Sequence, residues 1–384
     1  MIYEGNCRLG ELFTSRREKG RAGLPTLSVT LNDGLVNRED LDRKQDTTLA
    51  PEEHLLVKRG DIAYNMMRMW QGACGLADHE GLVSPAYVVL KPEAGIDPVY
   101  ATYLLKSPRM KYLLWAYSYG LTEDRLRLYF PDFAKIPTRI HSRRDQERLA
   151  KIFTASDGLI RERLNLRINT KATKAAVLNR LIKPKSRQSK AGWNEFEFGE
   201  VATRVRDQFD PRKATNQQWC VELEHIEQES GQLCGHTVTT SSSSMKFHFR
   251  EGDVLFGKLR PYLKKFWLAN RKGVCSSEIW VLRPNLTTCA PDYLTCLLQS
   301  EQVMRAVAAS AGSKMPRAEW DYVERTTVFL PSLLVQQRTA KILEPIDQYV
   351  HQMGRYVDGL KVEQRRLIQR LFSVNNIKSV SGRA

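Results

Sequence analysis

Between Ile346 and Leu371 apolar residues recur at intervals of four and three: Ile346, Val350, Met353, Val357, Leu360, Leu367 and Leu371, with polar Gln364 filling one place. That spacing is the seam of a coiled coil and predicts a long helix over 333–373. A second, less regular helical stretch over 141–183 carries Ile152, Phe153, Leu159, Ile160, Leu164 and Leu166 early and Val177, Leu178, Leu181 and Ile182 late, with Arg163, Arg167 and Thr170 between. The two stretches begin alike, D-Q-E-R-L-A-K-I from Asp145 and V-Q-Q-R-T-A-K-I from Val335, and Asp157 corresponds to Asp347. Each spans about 55–60 Å at roughly 1.5 Å per residue. Helices this long with an apolar stripe need a partner. The nearest partner for each is the other, so Ile152, Leu159, Val177 and Leu181 are expected against the seam of the second helix.

Ahead of each helix the pattern changes to strands, and it does so twice. Val57–Pro92 and Phe249–Pro284, 192 residues apart, align without a gap and share ten of 36 residues, among them Gly60/Gly252, Asp61/Asp253, Arg68/Arg260, Ser84/Ser276 and Pro92/Pro284. Leu24–Leu31 is a further candidate strand. Within the blocks, Asp61–Tyr64 and Asp253–Phe256 follow a Gly-Asp turn, and Val83–Leu90 and Val274–Leu282 are rich in β-branched and aromatic residues. Helical segments are expected over Pro98–Lys111 and Pro291–Arg305, with proline in the first turn. Loops anchored on Gly120 and Gly312 come next. A period of half the chain means a duplicated domain. The expected fold is α+β: a domain over 1–140, a helix over 141–183, a polar linker over 184–194, a second domain over 195–332, a helix over 333–373 and a polar tail over 374–384. The two helices would pair as a coiled coil, and two similar copies in one chain give pseudo-twofold symmetry.

Composition narrows the class. The chain has 384 residues, 42% hydrophobic and 27% charged, and no window approaches an 18-residue apolar span, so no membrane segment is expected. The first twenty residues carry Arg8, Arg16, Arg17 and Lys19 and no secretory pattern. Seven cysteines without a C-x-x-C spacing fit a reduced, cytoplasmic protein. The net charge of +16 and pI near 9.5 point to a polyanionic partner such as nucleic acid.

Motifs for chemistry are missing. Gly252-x-x-x-x-Gly257-Lys258 resembles a phosphate loop, but Leu259 stands where a Mg²⁺-binding Ser or Thr is needed and Pro261 opposes a helix start. Cys220, His225, Cys234 and His236 have no zinc-finger spacing, so no metal site is assigned. No catalytic residue is nominated. What repeats instead is a basic and aromatic cluster: Arg68, Trp70 and Gln71 in the first copy, Lys258, Arg260, Tyr262, Lys264 and Lys265 in the second, joined by Arg125 and Arg127 from the Gly120 loop and Lys314 and Arg317 from the Gly312 loop. Arg and Gln can pair with guanine and adenine edges, and Lys neutralises phosphate. The plain alternative is solvated loop charge with Trp70 or Tyr262 turned into the core.

With these blocks, loops and helix starts in that order, residues 7–372 resemble the specificity subunit of type I restriction–modification systems. The resemblance implies that each domain is a target-recognition domain reading one half of a bipartite, asymmetric target in double-stranded DNA, and that the two helices pack as an antiparallel coiled coil and set the gap between half-sites. It implies that two modification (methyltransferase) subunits, which hold S-adenosylmethionine, dock on the helices. Restriction–translocase subunits would bring ATP and Mg²⁺, and the chain itself would hold no cofactor and no catalytic residue. A second reading keeps the family but places the chain in a fused type II-like or methylation-only system. A third, of another class, is a non-catalytic coiled-coil scaffold for proteins. It expects Arg68→Ala with Arg260→Ala to be harmless, and Leu360→Asp not to be.

Overall fold

In a computed structural model of the chain, residues 3–41, 49–122, 125–182, 192–241, 243–312 and 315–373 are described. Lys314, most of the expected linker and the tail over 374–384 lie outside them. The chain divides into two compact units, Met1–Arg161 with Asp358–Ala384, and Glu162–Val357. Each unit thus takes one end of both long helices.

The first unit is built on a four-stranded antiparallel sheet in the order Phe13–Arg16, Tyr87–Pro92, Ile62–Asn65, Cys74–Leu76. The second repeats that order with Ala202–Val205, Ile279–Pro284, Val254–Gly257 and Phe266–Leu268. Around this shared sheet the copies diverge. The first has two small ribbons, Leu27–Val29 with Leu35–Asn37 and Leu55–Val57 with Gly81–Val83. The second has a five-stranded sheet with one parallel pair, Trp219–Val221 against Gly273–Ser276.

The shared residues of the block now have physical roles. Gly60 and Gly252 sit at φ +91° and +83°, a turn conformation that a side chain would strain. The next residue, Asp61 or Asp253, is buried and accepts a backbone N–H from Lys58 or Arg250. Each carboxylate is also gripped by two nitrogens of one arginine, Arg16 at 2.6 and 3.1 Å or Arg283 at 2.8 and 2.9 Å. The arginine comes from a different strand in each copy, the first of the sheet order in one and the second in the other.

Two sequence expectations need correction at breaks. Val83–Leu90 and Val274–Leu282 are not continuous strands. Each is interrupted after the shared serine, where Ser84 O accepts from Tyr87 N at 2.9 Å and Ser276 Oγ from Glu278 N at 3.4 Å, so the strand changes sheet. The helical segments also split, into Pro98–Lys106 and Pro108–Ala116, and into Pro291–Gln299 and Glu301–Ser310. Ser107 and Ser300 cap the second helix of each pair, and a capping hydroxyl competes with helix continuation.

The long helices run Arg143–Ile182 and Leu333–Phe372. Their common first-turn glutamine is fully buried and fully bonded. Gln146 accepts Asp97 N and donates to Gly95 O and His141 O, and Gln336 accepts Ala290 N and donates to Thr288 O and Pro331 O, all at 2.8–3.1 Å. One amide therefore ties the helix start to the strand before it and to the loop that opens the short helices.

Within the second unit, Lys174 of the first helix bonds Asp347 of the second, and a Cβ on Gly354 would lie against the Arg167 guanidinium. Seven residues forward on one helix are seven back on the other, so the helices are antiparallel there. Within the first unit Asp157 accepts from Gln364 at 2.7 Å, while Leu149 and Phe153 share a core with Phe372.

The seam departs from expectation. Ile152 and Leu367 are exposed, and Leu159 and Leu181 are only half-buried. The inward positions are Leu149, Phe153, Ile160, Lys174, Leu178 and Ile182 on the first helix and Leu343, Val350, Met353, Val357 and Phe372 on the second. Val177 and Ile346 pack at the margin of the second unit's core, Leu371 at that of the first, and Leu360 is half-buried. An apolar count misplaces the first helix by one residue because part of its true inner face is polar, at Lys174, Arg163 and Arg167.

Replacing Gln336 with Leu leaves three buried backbone groups unpaired and should destabilise by about 3 kcal/mol or more, read as a lowered denaturation midpoint. Burial raises the Asp347 carboxyl pKa, and Lys174 opposes that shift. Lys174→Met alone should therefore lose about 3–5 kcal/mol, and adding Asp347→Leu should recover most of it. A double variant no better than the single would show that the pair is not coupled.

Candidate nucleic-acid interface

The two nominated loops of each copy meet. In the first unit Leu128 N donates to Met66 O at 3.0 Å, fastening the stretch after Gly120 to the end of strand Ile62–Asn65. In the second, Ala318 N donates to Lys258 O at 2.9 Å in the same way, and Arg260 N donates to Pro316 O at 2.7 Å. Arg127 and Arg317, each just before the donor, thereby occupy corresponding places. Arg68 and Arg260 correspond already in sequence. All four are exposed, as is Arg125. Each unit thus presents two arginines on adjoining loops.

Local structure explains how the loops hold. Tyr119 and Arg127 exchange backbone bonds at 3.0 and 3.1 Å, closing the Gly120 loop so tightly that a Cβ on Gly120 would come within 2.4 Å of Arg125 O. The loop tip exposes Leu121, and Met67 is exposed beside Arg68. In the second unit Arg260 and Lys264 both have positive φ, +50° and +45°, flanking a single turn at Pro261–Leu263 that leaves Tyr262 61% exposed. The Arg317 guanidinium is paired with Glu278 at 3.0 Å, which raises its pKa further. Among the described residues no carboxylate pairs with Arg127.

Several nominated residues have other partners. Lys265 is half-buried and donates to Leu223 O at 2.8 Å, and burial lowers its pKa. It braces the loop from behind. Lys264 lies with Lys171 and Glu229 around a small cavity at the first long helix. Trp70 is half-buried and gives its indole N–H to Met67 O at 3.1 Å, and Gln71 is half-buried beside it. Lys258 is half-buried at the loop junction.

The four zinc candidates are used separately. Cys220 Sγ faces Glu222, His225 Nδ1 accepts Glu222 N, Cys234 Sγ faces the Glu224 and His225 carbonyls, and His236 stacks on Trp219. The phosphate-loop lookalike is a turn followed by strand Val254–Gly257.

Sequence reading missed the acidic braces. Glu229, at φ +57°, donates its N–H to Lys264 O and pairs with Lys171 at 2.8 Å. Glu227 binds Arg167 at 3.2 Å and also meets His351 and Ser230. They tie the Lys258–Lys265 loop to the long helices inside the second unit. The repeat did not flag them, because they lie ahead of the gapless block Phe249–Pro284.

Residues 191–354 match the family described as type I restriction modification DNA specificity domain. The chain is 21% identical over 164 residues to the type I restriction enzyme HindI specificity subunit of Haemophilus influenzae, covering 41% of this chain and 36% of that protein. It is 21% identical over 184 residues to the EcoDI specificity subunit of Escherichia coli, covering 47% and 40%. The matches therefore span well under half the length of either relative. Among solved structures it is similar to the type I restriction–modification S subunit from M. genitalium, with 15% identity, TM-score 0.58 and coverage of 97% and 96%. It is also similar to a chain from a study of complex assembly and conformational transition in the type I R-M system, with 16% identity, TM-score 0.59 and 96% coverage of both.

The fold is thus that of type I restriction–modification specificity subunits. Residues 191–354 are similar to the type I DNA specificity domain, in line with the resemblance drawn from the sequence.

Glu229 is held below the usual carboxylate range: burial would raise it, but Lys171 and its neighbouring lysines outweigh that. A depressed folded pKa gives stability that is present above the unfolded value and lost as pH falls through the folded one. The stability gap between the parent and Glu229→Gln should be full above about pH 4.5 and shrink on acidification below it. A gap constant from pH 7 to pH 3 would rule the brace out.

Proposed function

We propose that this chain is the DNA sequence-specificity subunit of a type I restriction–modification complex, each unit reading one half of a bipartite, asymmetric target. The observation that carries this reading is the paired-loop geometry built twice in one chain, with Arg68 and Arg127 exposed in one unit and Arg260 and Arg317 in the other. It stands on a chain with a net charge of +16. The copies share their scaffold residues and differ at the loops, so the two half-sites differ.

The chain supplies recognition, and the chemistry belongs to its partners. Two modification subunits carry S-adenosylmethionine, and restriction–translocase subunits carry ATP and Mg²⁺. Support for docking along the helices comes from apolar residues left on their outer faces at heptad spacing: Ile152 and Leu159 in the first unit, and Ile342, Tyr349 and Tyr356 in the second. Ile152 and Ile342 stand at the same place after the shared helix start, as do Leu159 and Tyr349. Two equivalent stripes suit two copies of one partner. Among the described residues no helix is long and apolar enough to cross a membrane.

Affinity of the full chain for duplex DNA should fall linearly with salt on logarithmic axes. Arg68→Ala with Arg260→Ala should weaken binding and reduce the slope by about one for each lost phosphate contact, or relax base preference if the side chains reach bases. Binding that ignores both salt and these arginines would sink the reading in favour of a protein scaffold.

A further inference from the structure

Both units bond the bend before the last sheet strand to the nominated loop, Met66 N to Ala86 O at 3.4 Å in the first, but only the second carries a carboxylate there. Glu278 lies in the bend between strands Gly273–Ser276 and Ile279–Pro284, and its counterpart in the repeat is Ala86. Its backbone carbonyl accepts Lys258 N at 2.9 Å, while Leu259 bridges to Arg317. Three backbone segments are thus locked side by side, and the Glu278 carboxylate reaches Arg317 Nε at 3.0 Å. That contact is the one side-chain bond of Arg317 among the described residues.

A carboxylate on Nε leaves both terminal nitrogens pointing onward as a fork. Such a fork matches O6 and N7 of guanine in the major groove. It fits a phosphate less well, because an approaching phosphate would also meet the Glu278 anion, whereas a base edge carries no net charge. The surroundings are rigid as well. The three non-glycine residues with positive φ among those described are Arg260 and Lys264, in the adjoining loop, and Glu229, which bonds Lys264. Backbone strain concentrated at one loop marks a place whose shape is enforced by its neighbours.

We propose that Glu278 and Arg317 form a guanine-reading pair in the second unit, Glu278 acting as the positioning residue and Arg317 as the reader of one guanine in the second half-site. This rests on the DNA-specificity function above and assigns a base class to one of its residues. The first unit has Ala86 at the place of Glu278, and among the described residues no carboxylate braces Arg127.

The test is selection of a randomised duplex library by the full-length chain, followed by sequencing of the bound fraction. The parent should enrich guanine at one position of one half-site. Glu278→Ala and Arg317→Lys should each lower that guanine preference on the order of tenfold or more, with other positions unchanged. Glu278→Gln keeps an acceptor for Nε and should restore part of the preference. Thermal melts of the variants establish that they fold. Unchanged preference in Glu278→Ala overturns the pair, and so does weakening equal across all sequences, which marks a phosphate contact. A parent that enriches nothing overturns the DNA-specificity reading itself, a result distinct from the first two.

Discussion

Each long helix can persist only if one face is covered, and the structure covers both of its ends inside compact units. The first turns decide this. Gln146 and Gln336 replace water at three backbone groups apiece, and the apolar residues beside them enter the unit's core, Leu149 and Phe153 in one case and Ala340 and Leu343 in the other. A helix of 40 residues without that anchorage would gain little from propensity alone. Everything proposed for the chain assumes helices that start at a defined place and angle on each domain, and a single buried amide sets that place.

The duplication was retained selectively. Backbone turns that need glycine, a buried aspartate with a bidentate arginine and a strand-breaking serine recur, because each satisfies a geometric demand of the same sheet. The arginine that answers the aspartate does not recur in place: Arg16 and Arg283 approach the same carboxylate from neighbouring strands. The demand is for a cation at one point in space, and two sequence positions can meet it. The polar contacts of the helices behave alike, with Asp157 meeting Gln364 in the first unit and Asp347 meeting Lys174 in the second.

The candidate interface was only partly legible. Arg68, Arg125, Arg127, Arg260, Tyr262 and Arg317 could be named from the repeat and the charge, and they are exposed on joined loops. Lys264 and Lys265 looked equivalent to them in sequence, yet one packs against the long helix and the other serves a carbonyl. Adjacent lysines on a strained turn point in different directions, and one-dimensional charge carries no direction. Glu278 drew no notice because an acidic residue counts against a DNA surface until its partner is known.

The sequence by itself determined the duplication, the strand–loop–helix order, the long helices and the basic character of the chain, because those depend on periodicity and net charge, which are properties of the chain read in one dimension. It placed the seam of the first helix one residue away, since Lys174, Arg163 and Arg167 occupy inner positions that an apolar pattern cannot see. Only the tertiary structure decided which arginine grips which aspartate, which lysines turn inward and which arginine is held by a carboxylate. Those choices depend on contacts between residues far apart in the chain, and the strength of a charge–charge contact is set by distance and burial in space, not by spacing along the sequence.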